Sequence, residues 1–274
     1  MNSKLPVIVG HRGAASLEPE NTLISFQRAV KDGADAIELD VHLSKDGEVV
    51  VHHDFVLDRT AVRGRTTGAI KDLTYDELQE VGLAFGQRIM KLSEVFEKIK
   101  VPVYVEIKAP EATGPTLKLI RHLGVAQRVT LISFHPEAIK EIRATEPGWP
   151  CALIQSFPTD EAKALFDASR APWASYGVYE LTEADVKREH EAGRKVNVWT
   201  VSTLDQVRRL LAWGVDSISS DNPGWLKWAI EKLALDIDEE STETGQIEAL
   251  QEDFKKYEAQ KQSEHKTKHG KADK

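Results

Sequence analysis

Short runs of apolar, mostly β-branched residues alternate along the chain with longer stretches whose apolar positions recur every three or four residues. The first pattern reads as buried strand and the second as amphipathic helix. Strands are expected at 6–10, 35–43, 101–108, 128–134, 150–156, 173–179, 194–201 and 215–220. Helices are expected near 22–32, 74–81 and 92–99, 112–123, 135–145, 159–169, 182–192, 203–213 and 223–235. Their starts carry side chains that can cap free backbone N–H groups: Asn21 or Thr22, Ser93, Thr113, Thr159, Thr182, Thr203 and Asn222. Gly33, Gly124, Gly193 and Gly214 stand where helices should end.

Eight strands, each followed by a helix, imply a parallel sheet. At 274 residues the natural α/β architecture is a closed (β/α)8 TIM barrel. An open doubly wound sheet is the alternative. A dinucleotide-binding fold would need G-x-G-x-x-G after its first strand, and "GHRGAA" lacks that spacing. One unit is irregular. After "DAIELDVHL" comes "SKDGEVVVHHD", in which Lys45-Asp46-Gly47 reads as a hairpin turn. The long stretch beyond it, through Gly64, Gly68, Gly82 and Gly86, is expected to be a functional loop or a small insertion after the second strand. The barrel is expected over 1–235, with a charged tail over 236–274. In the tail, Ile247, Leu250, Phe254 and Tyr257 are spaced for a short amphipathic helix, and the last fifteen residues should be disordered.

Composition narrows the function. Apolar residues make up 41% and charged residues 29%, as in ordinary soluble domains. A net charge of -8 argues against a general nucleic-acid binder. It still allows a small anionic substrate held by one or two placed cations. Cys151 is the only cysteine, which excludes an intramolecular disulfide and a thiolate metal cluster; it is expected to be a small buried hydrophobe. The N-terminus lacks an apolar leader and no apolar run approaches ~18 residues, so no integral membrane segment and a cytoplasmic location are expected. The oligomeric state is not legible.

Ionisable residues break the apolar pattern where a barrel carries its chemistry, at the C-terminal ends of strands. His11 and Arg12 follow the first strand, between Gly10 and Gly13. Glu38 and Asp40 lie two apart on the second strand and share one face. Glu106 and Lys108 repeat that spacing on the third. Three converging carboxylates repel one another unless a cation joins them. Oxygen-only ligands suit one divalent ion, Mg²⁺ or Ca²⁺ with Mn²⁺ also possible, rather than zinc. The alternative is a structural network in which the carboxylates pair with Arg12 and Lys108. His11 and His53 suit an acid–base pair near neutral pH. His52 faces away from His53, and His42 lies past Asp40 toward the turn. Arg12 offers a fork and Lys108 a point charge to a phosphate. Together these groups point to phosphoryl chemistry. No P-loop and no G-x-S-x-G is present.

The segments "HRGAASLEPENT", "AIELDVHLSKDGEVVVHHDFVLDRT", "VYVEIK" and "VNVWTVST…GVDSISSDNP" resemble the glycerophosphodiester phosphodiesterases, over about residues 7 to 226. The resemblance implies a metal-dependent barrel enzyme. It would hydrolyse small glycerophosphodiesters, such as glycerophosphocholine or glycerophosphoethanolamine, to glycerol 3-phosphate and an alcohol. It implies His11 and His53 as the acid–base pair, and Glu38, Asp40 and Glu106 as metal ligands. Arg12 and Lys108 would hold the phosphate, and Phe134 and Trp199 would line the pocket. Of the histidines, His11 is expected to accept the nucleophile's proton and His53 to protonate the leaving alcohol. The family usually has Asn in place of Ser202 and commonly Thr in place of Ser220, differences that bear on substrate preference. The nearest rival is a phospholipase-like enzyme acting on lysophospholipids or inositol lipids. Phe55, Val56, Leu83, Phe85, Trp149, Phe157 and Trp173 are the candidates for its apolar access path. A rival of another class is a binding protein without activity, which should have lost ligands or histidines; all five core positions are present.

Overall fold

The computed structural model describes residues 5–236, 252–254 and 256. Eight strands form its frame: β1 Val7–Gly10, β2 Ala36–Leu43, β3 Val103–Ile107, β4 Val129–Ser133, β5 Cys151–Gln155, β6 Trp173–Gly177, β7 Lys195–Trp199 and β8 Ser217–Ser220. Each is followed by a helix: α1 Leu23–Lys31, α2 Leu92–Lys98, α3 Thr113–Leu123, α4 Pro136–Thr145, α5 Asp160–Ser169, α6 Glu183–Glu191, α7 Leu204–Trp213 and α8 Pro223–Asp236. All eight strands are parallel to their barrel neighbours. β1 pairs with β8 on one side, Val7 opposite Ser217, and with β2 on the other, Gly10 opposite Ile37. The second pairing closes the sheet. The architecture is therefore the (β/α)8 barrel, and the open doubly wound sheet is excluded.

The strands read as continuous apolar runs because a parallel barrel buries both of their faces. On the outside, residues three or four apart turn one helix face to the sheet. Phe26 and Ala29 of α1, Leu117 and Ile120 of α3, Ile139 and Ile142 of α4, and Val207 and Leu210 of α7 are buried this way. On the inside, Val9, Ala36, Tyr104, Ile132, Ala152 and Ile154 form one packed cluster. Cys151 is buried on β5, and burial pushes its thiol up to about 11, so it is an inert packing residue.

Helix starts follow the capping logic with two exceptions. Thr22, Thr159, Thr182 and Thr203 each accept the backbone N–H three residues on. Asn222 accepts that of Trp225 at 3.0 Å. Ser93, expected as a cap, lies inside α2; the cap position is Lys91, whose N–H donates to Glu94 at 2.8 Å. Thr113 is already the first residue of α3, because a 3-10 turn over Pro110–Ala112 leads into it.

The stretch after β2 is a small folded insertion rather than an open loop. Val49–Val51 runs antiparallel to β2, and Met90–Lys91 pairs with it in turn. Between them lie an antiparallel pair, Ala61–Gly64 with Val81–Leu83, and a short helix, Tyr75–Gln79. Val50, Leu57, Ile70, Leu73, Leu78, Val81, Leu83 and Ile89 give it a core of its own.

The chain divides into two compact units, 1–227 and 228–274. Of the second, the structure describes the last part of α8 and the helical residues 252–254 and 256. There the rings of Trp228 and Phe254 pack with centroids 5.0 Å apart. Ile247, Leu250 and Tyr257 of the expected tail helix, and the last fifteen residues, lie outside the described residues. Among the described residues no helix is long and apolar enough to cross a membrane.

Leu39 is wholly buried between the two site carboxylates of β2. Leu39→Ala is expected to cost about 2–5 kcal/mol in urea unfolding. A cost below about 1 kcal/mol would contradict the close packing assigned to this strand.

Candidate active site

The site begins with a turn that only glycine permits. A Cβ on Gly10 would stand 2.6 Å from the Gly13 carbonyl oxygen. Gly13 has φ +88, and a Cβ there would meet Ser25 Oγ at 2.3 Å. Between them Arg12 takes the left-handed φ of 52, a conformation that costs a non-glycine residue about 1–3 kcal/mol. The turn aims the Arg12 backbone N–H at Glu38 Oε2, 2.8 Å away. Asn21, with φ 57, does the same for the next carboxylate. Its Nδ2 donates to Asp40 Oδ2 at 2.8 Å, and its Oδ1 accepts the Asp40 N–H at 3.3 Å.

Glu38 and Asp40 share the inner face of β2, and the register of β2 with β3 sets Asp40 opposite Glu106. One oxygen from each of the three carboxylates lies within 4.8 Å of the others, and all three residues are buried. Burial disfavours their charge and raises Glu38 and Glu106, with the negative charge of Asp40 adding to it. Burial would raise Asp40 too, but Lys108 and Arg12 hold it low. Lys108 Nζ is 3.4 Å from Asp40 Oδ1 and 2.7 Å from Glu106 Oε1, and Arg12 Nε is 3.6 Å from Asp40 Oδ2. A network of ion pairs therefore does exist, yet it leaves Glu38 Oε1 buried without a hydrogen-bond partner. That orphaned oxygen, two carboxylates pushed toward protonation and an oxygen-only donor set fit a divalent cation.

Both histidines rest on a carboxylate. His11 Nδ1 is 2.7 Å from Asp221 Oδ1, just past β8, and its Nε2 is 4.0 Å from Glu38 Oε2. Burial would lower His11, but the Asp221 hydrogen bond and the Glu38 charge raise it on balance. His53 Nδ1 is 2.6 Å from Asp54 Oδ1, and burial lowers it. In each ring the carboxylate takes Nδ1, and Nε2 is the nitrogen that could exchange a proton. His42 donates from Nε2 to the His53 carbonyl at 3.1 Å, and burial lowers it to about 4. His52 is bonded at both ring nitrogens, to the Asp54 carbonyl and to Thr60 Oγ1, each at 2.8 Å.

An open cleft gives onto these groups. His11, Arg12, Glu38, His53, Glu106 and Lys108 line it, as do Phe134 and Trp199, whose rings meet edge to face at 5.7 Å. Of the catalytic, metal-ligand and substrate-binding candidates, Asp40 alone is not in the wall; it is buried against Asn21 and Lys108. Ser175, Asn197 and Ser219 add a polar patch, with Asn197 Nδ2 donating to Ser175 Oγ at 2.9 Å and Ser219 Oγ donating to Asn197 Oδ1 at 3.3 Å. None of the residues considered for an apolar access path lines the cleft. Leu83 belongs to the insertion core and Trp173 packs on Tyr104 at 6.2 Å. Sequence reasoning missed Asn21, Asp54, Asp221 and the Ser175–Asn197–Ser219 patch as site residues. Adjacency to His53 was a signal for Asp54, and position after the last strand was one for Asp221.

The raised carboxylates give a pH-dependent expectation. Between the ordinary carboxylate value and the raised one, the cation-free native state binds more protons than the unfolded chain, so it loses stability as pH rises. A bound cation replaces those protons and removes that loss. Adding Mg²⁺, Ca²⁺ or Mn²⁺ to metal-stripped protein should raise the melting temperature more at about pH 8 than at about pH 5.5, and Glu38→Gln should abolish most of the difference. Equal shifts at both pH values, or none, would contradict the site.

Residues 11–225 match the glycerophosphoryl diester phosphodiesterase family. The chain is 33% identical over 238 residues to the glycerophosphodiester phosphodiesterase of Caldanaerobacter subterraneus subsp. tengcongensis, spanning 79% of this chain and 94% of that one. It is similar to the crystal structure of glycerophosphodiester phosphodiesterase from Agrobacterium tumefaciens str. C58, with TM-score 0.71 and 27% identity over 81% of this chain and 99% of that one. It shares the fold of an Oleispira antarctica phosphodiesterase solved in complex with the product sn-glycerol-3-phosphate, with TM-score 0.75 and 24% identity over 83% and 97% of the two chains. The family match spans the barrel from His11 to the start of α8, and the chain accordingly belongs to the glycerophosphoryl diester phosphodiesterase family and is a phosphoric diester hydrolase.

Proposed function

We propose that this protein hydrolyses small glycerophosphodiesters, such as glycerophosphocholine or glycerophosphoethanolamine, to glycerol 3-phosphate and the alcohol. Glu38, Asp40 and Glu106 would hold one divalent ion, Mg²⁺ or Ca²⁺ with Mn²⁺ also suitable. The observation that carries this reading is that two carboxylate-backed histidines and two fixed cations meet the three buried carboxylates in one cleft. The Oleispira antarctica protein, with sn-glycerol-3-phosphate bound, supports the nature of the product.

When bound, the cation would draw charge from the phosphate oxygens and offset the repulsion among its three ligands. Arg12 and Lys108 add positive charge already fixed in place by Asp40, so little reorganisation is needed as charge develops on the phosphate. His11 and His53 exchange two protons. One takes a proton from the attacking oxygen, of water or of a neighbouring substrate hydroxyl, and the other returns one to the leaving alcohol. The sequence reading makes His11 the acceptor. Asp221 behind His11 and Asp54 behind His53 hold each ring by Nδ1, so that its Nε2 can carry that proton. Phe134 and Trp199 wall the cleft with apolar surface beside the reacting groups. A lipid substrate would need an apolar path joined to the cleft, and the lining offers none beyond these two rings, Ile132 and Ile154.

The test is release of glycerol 3-phosphate from glycerophosphocholine. His11→Ala and His53→Ala should each slow it by about 10²–10⁴. On the p-nitrophenyl ester of glycerol 3-phosphate, whose leaving group departs without a proton, the variant that lacks the proton donor should recover and the other should not. Losses under about 10-fold, or the same pattern for both variants on both esters, would contradict the assignment of the pair.

A further inference from the structure

Arg59 lies on the insertion, and its side chain is 50% exposed, yet it makes three short bonds. Its Nε donates to Asp54 Oδ2 at 2.6 Å. Its Nη1 and Nη2 donate to the two oxygens of Glu20 at 2.7 and 2.6 Å. Each of these carboxylates also reaches a cleft residue, Asp54 with its other oxygen and Glu20 with an oxygen it shares with Arg59. Asp54 Oδ1 meets His53 Nδ1 at 2.6 Å, and Glu20 Oε1 accepts from Arg12 Nη1 at 3.0 Å. One guanidinium is thus one carboxylate away from a proton carrier and one carboxylate away from a phosphate clamp.

The loop that carries Arg59 is built to present it. Leu57 is wholly buried in the insertion core, and its carbonyl accepts the N–H of Thr60 at 3.2 Å and of Ala61 at 3.1 Å. The buried His52 ties the two ends of the loop together through the Asp54 carbonyl and the Thr60 hydroxyl. A histidine without a part in the proton exchange thereby has a use. Partial burial would raise Asp54, but hydrogen bonds from Arg59 and His53 hold it well below the usual carboxylate range, so it remains an acceptor for His53. A single exposed ion pair adds little to stability and costs side-chain freedom. A planar fork with three bonds instead fixes direction.

We propose that Arg59 is a positioning residue of the reaction, aligning His53 through Asp54 and Arg12 through Glu20, so that the insertion sets both arms of the site together. The proposal rests on the roles given above to His53 and Arg12.

Steady-state hydrolysis of glycerophosphocholine separates the arms. Asp54→Asn should lower kcat about 10-fold or more with KM within about twofold. Glu20→Gln should raise KM about fivefold with kcat nearly kept. Arg59→Met should do both, and Arg59→Met/Asp54→Asn should have a kcat within about twofold of Asp54→Asn alone. Arg59→Lys, which keeps the charge but cannot bridge both carboxylates, should fall between wild type and Arg59→Met, and it carries the same reading if near-ultraviolet circular dichroism shows Arg59→Met misfolded. Arg59→Met within about twofold of wild type in both constants, or kcat losses that multiply in full in the double variant, would overturn the proposal. Normal wild-type turnover beside unresponsive Arg59 variants sinks this proposal alone. Absence of glycerol 3-phosphate release by the wild type sinks the reading of the reaction, and this proposal with it.

Discussion

Glu38, Asp40 and Glu106 crowd three acidic side chains into a buried space where one oxygen of each lies within 4.8 Å of the others. Away from water such charges cannot all persist without compensation. The protein supplies part of it. Lys108 sits on Asp40 and Glu106, Arg12 sits beside Asp40, and the backbone of Arg12 donates to Glu38. The sum falls short, as the raised Glu38 and Glu106 and the orphaned Glu38 Oε1 record. A shortfall of this kind is one that a hard divalent ion could make good. The rest of the mouth is arranged around it: Arg12 and Lys108 restrain Asp40, and His11 lies 4.0 Å from Glu38.

The fold delivers this crowding through ordinary strand geometry. Parallel register sets Asp40 opposite Glu106, and the period of two keeps Glu38 on the same face. Closure of β1 onto β2 then brings the His11–Arg12 turn beside them. Gly10 and Gly13 are there for backbone space, since a Cβ on either would collide with the turn or with Ser25. Around the inner ring runs a second set of carboxylates, Asp221, Asp54 and Glu20, each bonded to a histidine or to an arginine of the cleft. Two of the three also meet Arg59, so the insertion is part of the site's frame rather than decoration on it.

Much of this was legible in the sequence, because it depends on local period. All eight strands and their helices follow from apolar alternation, and the inward carboxylates are visible as polar residues interrupting apolar runs. What depends on distance between loops was not. Asp221 lies 210 residues from His11, and Arg59 lies 39 from Glu20, so neither pairing has a local signature. The caps expected at Ser93 and Thr113 failed for a related reason: a 3-10 turn and the Lys91–Glu94 bond decide those starts, and neither shows in the identity of one residue. The small insertion was legible only as a loop or insertion without internal structure, because its core is assembled from single apolar residues scattered between Val50 and Ile89.

On the proposed function one cation completes the carboxylate cluster, and turnover depends on it. Titration of metal-stripped protein with Mn²⁺, with bound ion followed by electron paramagnetic resonance and glycerol 3-phosphate release measured on the same samples, tests it most directly. One ion per chain, activity rising in step with occupancy, and loss of both in Glu106→Gln are expected. Full activity in metal-stripped protein, or occupancy unchanged in Glu106→Gln, would contradict it.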